Sequence, residues 1–452
     1  MMPAPQAPGL SPSRRLFLLK IQACMDYGFS VIGMAFNGML QAAMGLPVEF
    51  FFLLSVLSVV TAFVAQNSLS RKSDKHGDRI PYIMLSRSMQ VCSTLLIAFI
   101  RVEWIFIVTV IMNGIVSGES TANIIVYELI DEKQKLLDPR EAARLNKSKE
   151  FSKYRIFGSI GWSWTAPFGG MAIKALNGMH GDPYFGYTVM YCISAAGMAA
   201  TAIFLYRIVH GYKRAVPTTI LTNKAQDALA TISTSRFYMT TAFAMLVSST
   251  FLYSMSLAMQ SNPFAKYLRD GLDAGEDYYG MLMFLWATAE VPLFFLSSHL
   301  VKTRGWKLLI LLSFLFHEVK LVVFSIVSTP AGLWLVAAVH VLNPFGISFP
   351  ARTYAITNEI ARDRKALGMT LHDSFSALGS LIGGILGMLI AGNLGIIANT
   401  MPGYQYFFGI SIGLTACAIA VFLAIELVAR VRKRALKIGK QRTGKTSPRF
   451  IG

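Results

Sequence analysis

Ser70-Arg71-Lys72-Ser73-Asp74-Lys75-His76-Gly77-Asp78-Arg79 follows the second long apolar run of this 452-residue chain, and Ser298-His299-Leu300-Val301-Lys302-Thr303-Arg304-Gly305-Trp306-Lys307 follows the eighth. A small residue, a gap, a glycine and a cation recur at the equivalent place. A tight turn between two helices needs the glycine, and an aspartate at its start can hold neighbouring helix ends by charge and by capping amides. One such stretch alone would be an ordinary basic turn. Its recurrence six helices later points to an internal repeat.

Working outward, hydrophobic residues make up 54% of the chain and charged residues 15%. Several apolar stretches reach about twenty residues, the length a helix needs to cross a hydrocarbon core. The pattern predicts spans at 16–43, 49–70, 80–100, 104–128, 155–177, 186–208, 237–261, 278–301, 307–328, 332–357, 368–394 and 403–429. That is a twelve-helix, multi-pass, all-α membrane protein. Sorting Lys and Arg by loop tests the count, because one missed span would invert every later loop. One side holds only Arg101, Lys174, Lys266 and Arg269; the other holds the two turns quoted above, the 133–155 cluster and the tail. Both termini are therefore expected in the cytoplasm, with the protein in the cell membrane.

The formal charge of +18 is explained by this topology and calls for no nucleic-acid partner. Cys24, Cys92, Cys192 and Cys417 all fall inside apolar spans, so neither a disulfide framework nor a metal cluster is indicated. No small-residue cleavage site follows a short apolar core near Arg14-Arg15, so the first helix is read as retained. The longest polar interruptions are Asp131 to Lys153 and His210 to Ser235. The second divides the chain into an N-terminus (1–15), a first six-helix bundle (16–208), a central loop (209–235), a second bundle (236–430) and a basic tail (431–452).

Together the two turns resemble the signature loop of the major facilitator superfamily, which runs Gly-x-x-x-Asp-Arg/Lys-x-Gly-Arg-Arg/Lys. Asp74, Lys75, Gly77 and Arg79 match it; Ser70 and Asp78 depart from it, and the second copy keeps Gly305 and Lys307 without the aspartate. The resemblance implies two pseudo-symmetric six-helix bundles over the whole chain, and a fold does not name the cargo.

An ionisable residue within a span is expensive enough to be read as functional. Those present are Asp26, Glu119, Glu128, Glu290, His317, Glu318, Lys320, His340, Arg352, His372, Asp373 and Glu426. At about 1.5 Å per residue, Glu290 and Lys320 both fall near the midplane and His340 at overlapping depth. The competing reading is structural, since a buried Lys–Glu pair can simply fix helix register.

At these residues the resemblance narrows. Ala289-Glu290-Val291-Pro292, Val319-Lys320 and Val339-His340-Val341-Leu342-Asn343-Pro344-Phe345 look like the branch containing lactose permease, the nucleoside–proton symporters and the phenylpropionate permeases. Arg155-Ile156-Phe157-Gly158-Ser159-Ile160-Gly161-Trp162 resembles the lactose permease segment that binds and stacks on sugar, and Glu128-Leu129-Ile130-Asp131 the segment carrying the arginine's carboxylate partner. The resemblance implies Arg155 and Glu128 as a charge pair across the cavity, Trp162 as a stacking face and Glu290 as a substrate acceptor. Lys320 and His340 would belong to the coupling machinery. Hydropathy instead puts Arg155 and Glu128 at the cytoplasmic margin; helices reaching into 131–154 would bring both deeper, and otherwise the pair is an inner gate. Asn343 occupies the place of the coupling carboxylate in that pattern and cannot titrate. Lys320 stands for the usual arginine and loses its two-pronged geometry. Coupling then moves to another carboxylate, with Glu290, Asp26 and Asp373 as candidates, or is absent.

Gly158 and Gly161 lie three apart on one helical face, and Gly379, Gly383, Gly384 and Gly387 follow His372-Asp373 in helix 11. Small residues at this spacing let helices approach closely and suit bundles that rock against each other. The sequence thus predicts a secondary transporter of a small polar organic solute, with sugar, oligosaccharide or nucleoside favoured by resemblance, coupled to protons, monomeric and without a cofactor. The alternatives are a uniporter, a drug or metabolite exporter, or a non-transporting sensor whose basic tail, Arg430 to Arg449, binds a partner or anionic lipid headgroups. No phosphate-cradling loop, metal spacing or nucleophile elbow marks an enzyme.

Overall fold

The computed structural model describes residues 11–76, 80–115, 119–145, 147–210, 240–361 and 365–442. The first helix, α1 (Pro12–Ala35), starts on an N-cap, Ser11, whose hydroxyl accepts from the Arg14 amide, with Pro12 at the first helical position where no amide is missed. It breaks at Phe36 and continues as α2 (Asn37–Ala43). Next come α3 (Val48–His76), α4 (Ile80–Phe99), α5 (Glu103–Ile115), α6 (Glu119–Leu136), the short α7 (Pro139–Arg144), α8 (Lys147–His180) and α9 (Phe185–Val209). The second half holds α10 (Thr241–Lys266), α11 (Glu276–Arg304), α12 (Trp306–Ile326), α13 (Leu333–His340), α14 (Pro344–Tyr354), α15 (Lys365–Leu394) and α16 (Met401–Arg442).

Among the described residues, nine helices are long and apolar enough to cross a membrane. The other three expected spans fall on α3, α5 with α6, and α8. These are helical, but α3 and α5 have shorter apolar stretches, Val48–Val64 and Glu103–Gly114. The interval 131–154 is mostly helix: α6 runs to Leu136 and α8 begins at Lys147, eight residues before Arg155. Of the first turn motif, Gly77 and Arg79 lie outside the described residues; Asp74 and Lys75 lie in the last turn of α3. In the second copy Gly305 takes φ +83° between α11 and α12, a left-handed conformation that favours glycine. Lys307 there pairs with Glu426 of α16, which also accepts from Arg430 at 2.9 Å.

Three apolar cores show how the halves sit. Leu16, Ile83, Leu129, Phe151 and Leu205 form one core wholly within the first bundle, near the termini. Phe243, Trp306, Phe314, Ile356 and Phe422 form its counterpart within the second. The third is shared: Phe36, Phe52 and Tyr187 of the first bundle pack with Phe264, Tyr267, Phe324 and Phe407 of the second. It lies at the opposite end from the termini. The bundles are thus one body at that end and two separate bodies at the other.

Glycines make the seams. A Cβ built on Gly161 would lie 1.9 Å from the Cys24 carbonyl oxygen of α1, and one on Gly170 would lie 2.2 Å from the Glu276 carbonyl oxygen of α11. So α8 uses one face to pack inside its bundle and another to cross to the second. By the same measure α15 seats Gly379 against the Phe251 carbonyl of α10, and Gly387 against the Phe52 ring of α3.

Candidate functional site

Between the bundles lies a cavity of about 640 Å³. Arg155 and Trp162 of α8, Glu290 of α11, Lys320 of α12 and His340 of α13 all face it, so five of the residues singled out from the sequence converge on one space. Hydrogen-bonding groups and aromatic rings complete the wall, among them Tyr253, Gln260, Phe264, Tyr279 and Trp286.

The geometry follows from the helices. Because α8 starts at Lys147, Arg155 is two turns inside a helix and its guanidinium reaches across the bundles to lie over the Phe345 and Phe349 rings of α14, at 5.8 and 5.4 Å. Arg352, one turn further along α14, lies over the same rings at 5.7 and 5.0 Å. Glu290 interacts electrostatically with Arg155 and lies near Ser159 one turn on, bringing α11 to α8 within the cavity. Lys320 is buried, with its ammonium 6.0 Å from the Phe324 ring. His340 stacks on Phe264 at 5.4 Å, and its Nδ1 lies 3.3 Å from the Val336 carbonyl.

Asn343 finds its place here. Val341 to Asn343 break the tenth span into α13 and α14, and the Asn343 side chain, fully buried, caps the second piece by accepting from the Gly346 amide at 3.0 Å. Its amide nitrogen donates to the Trp286 carbonyl of α11 at 2.9 Å. An ionised carboxylate could accept but not donate.

The other expected residues sit elsewhere. Asp26 is buried inside the first bundle, 2.5 Å from Arg87 of α4 and accepting from the Thr201 hydroxyl of α9 at 3.0 Å. Glu128 is half-buried on α6, which packs against α8, and is not part of the cavity wall. Asp373 is largely exposed, 3.0 Å from His372 Nδ1; His372 itself faces the cavity and contacts Thr250 at 3.3 Å. Of Glu119 only the helical backbone is described.

Several polar bridges join the bundles at the far end. Lys266 is buried, pairs with Asp270 at 2.9 Å and donates to the Leu46 carbonyl at 2.9 Å. Glu276 accepts from Arg269 and from the Tyr187 hydroxyl, both at 2.7 Å. Lys174 pairs with Asp277 at 2.8 Å, and the Val48 amide donates to Asn399 at 2.9 Å. In sequence, Lys266 and Arg269 read as loop cations; the signal missed was that the carboxylates of Asp270, Glu276 and Asp277 follow within a few positions.

A family model described as "MFS_1 like family" matches residues 27–428. The chain belongs to the MFS_1-like family. No curated protein matches it. Solved structures share the fold at low identity. The nucleoside transporter NupG is 13% identical with a TM-score of 0.63, over 91% of this chain and 98% of that one. A bacterial homologue of the human lysosomal transporter Spinster, in an inward-facing and occupied conformation, is 13% identical with a TM-score of 0.67, over 92% and 98%. The peptide transporter POT is 12% identical with a TM-score of 0.65, over 92% and 94%. Family and fold are those of multi-pass membrane transporters and not of an enzyme.

Proposed function

We propose that this protein is a secondary active transporter that carries a small polar organic solute by alternating access, coupled to protons, as a monomer in the cell membrane with both termini in the cytoplasm. The observation that carries the reading is a charged cavity between two bundles that share an apolar core at one end only. Rocking the bundles about that cavity would open the far end and close the near one. In the described state the far end is held shut, which corresponds to an inward-facing form. Arg155, Glu290 and His340 supply directional contacts and Trp162 a stacking face for a sugar or nucleoside. With Asn343 occupied as a cap, and Asp26 paired to Arg87, Glu290 is the carboxylate best placed for coupling, on the same cavity wall as Lys320 and His340. The basic tail lies against anionic headgroups.

The test is solute-driven proton movement in proteoliposomes containing a pH-sensitive dye, with Glu290→Gln alongside. Uptake of a solute with acidification of the lumen, abolished by the substitution, is the expected result. Uptake without proton flux would make the protein a uniporter, and no movement of any solute would refute transport.

A further inference from the structure

The charges on the cavity wall do not balance. Arg155, Lys320 and Arg352 bring three cationic side chains, and Glu290 is the one carboxylate among the wall residues described. Glu290 faces Arg155. That leaves Lys320 and Arg352, and neither has an ion pair among the described residues. Asp373 acts on Arg352 electrostatically without forming one, and it sits outside the wall beside His372. Lys320 is 8% exposed; its ammonium lies 6.0 Å from the Phe324 ring, and it interacts electrostatically with the His317 and His340 imidazoles, neither of which is an anion.

Hydrogen bonding leans the same way. Among the described residues, two buried polar atoms on the wall lack a partner, Arg352 Nε and Trp286 Nε1, and both are donors. Of the wall imidazoles, His317 contacts Ser256 at 3.3 Å, while His340 and His372 are engaged as described above. Pro344 and Phe345, the first two residues of α14, are also on the wall, which brings the positive end of a helix dipole near the same space. A buried cation is costly unless something pairs with it. The missing component is an acceptor with negative charge.

We propose that the solute is an organic anion, carrying a carboxylate or phosphate that Lys320 and Arg352 neutralise while the aromatic wall covers its apolar or ring portion. This rests on the transport reading above and narrows it from polar solutes in general to charged ones. Arg352 joins the site as a specificity-determining residue: its planar fork, fixed on two phenylalanine rings, suits an oxyanion.

Equilibrium binding to the full chain in detergent tests it with matched probes: glucuronate against glucose, uridine monophosphate against uridine, and benzoate against benzamide. The anionic member of at least one pair is expected to bind roughly tenfold to a hundredfold more tightly, the range of a charge-assisted hydrogen bond. Lys320→Gln and Arg352→Gln should each erase that preference, and Lys320→Arg should keep it. Equal or tighter binding of the neutral members, a preference that survives both substitutions, or no binding of any anionic probe overturns the proposal. Because binding is read without a membrane, its failure stays separate from a failure of uptake in liposomes, which bears on transport itself.

Discussion

Replacing Asn343 probes whether the break in the tenth span is held by its side chain. Asn343→Ala removes the cap on the buried Gly346 amide and the donor to the partly buried Trp286 carbonyl. A lost N-cap costs about 1 kcal/mol, and a lost buried hydrogen bond about the same. The sum is roughly 2 kcal/mol before any loss from the small cavity left behind. Asn343→Asp is the sharper variant. It keeps an acceptor for Gly346, but its ionised form sets a carboxylate oxygen against the Trp286 carbonyl, so at neutral pH it should cost at least as much as alanine. Unfolding free energy in mixed micelles of rising denaturing-detergent fraction measures both. An alanine variant within about 0.5 kcal/mol of the parent, the range of an uninvolved surface site, would refute the reasoning. So would an aspartate variant that folds as well as the parent and gains solute-driven proton flux, for position 343 would then be a coupling site in waiting.

Two further substitutions separate structural charges from working ones. Asp26→Asn leaves Arg87 without its buried counterion and should cost about 3–5 kcal/mol, whereas replacing both residues by leucine should restore most of that; a stable Asp26→Asn protein lacking only proton flux would make Asp26 a coupling residue instead. Glu276→Gln removes the charge that both Arg269 and Tyr187 address and should open the far end. A cysteine placed at Ser348 on the cavity wall, with the four native cysteines replaced, should then react faster with an impermeant maleimide applied from outside, and an unchanged rate would show that Glu276 does not hold the end shut.

The sequence made the multi-pass helical fold and the convergence of Glu290, Lys320 and His340 on one cavity legible, because each rests on quantities that run along the chain: apolar length and depth at a fixed rise per residue. What stayed hidden depends on how helices are turned about their own axes. Asp26 and Arg87 stand 61 positions apart on different helices, and nothing in either local pattern says that they face each other. Arg352 was readable as an intramembrane charge, but its placement beside Arg155 on shared rings follows from the break at Val341 to Asn343, which resets the phase of α14 relative to α13. The same break gave Asn343 its cap, so the residue that looked like a missing carboxylate has a structural reason to be an amide.

The glycines of α8 and α15 carry the remaining step from structure to motion. Each helix makes close approaches within its own bundle, such as Gly161 to α1 and Gly379 to α10, and to the opposite bundle, such as Gly170 to α11 and Gly387 to α3. Both crossing contacts lie toward the end where the apolar core is shared. At these points a glycine lets the helices touch closely between the interleaved rings of the shared core, while the polar bridges of Lys266, Glu276 and Asn399 set how firmly the end is shut. The close contacts within each bundle keep α8 and α15 with their own halves as the seams move. Since Arg155 rides on α8 and Arg352 on α14, parting the far end would also change the distance between the two guanidiniums that share the Phe345 and Phe349 rings. Lys320 and Arg352 both ride with the second bundle, so an anion held between them would sense that movement through Arg155 of the first, and a difference in affinity between the two end states is what lets a solute bias a conformational equilibrium.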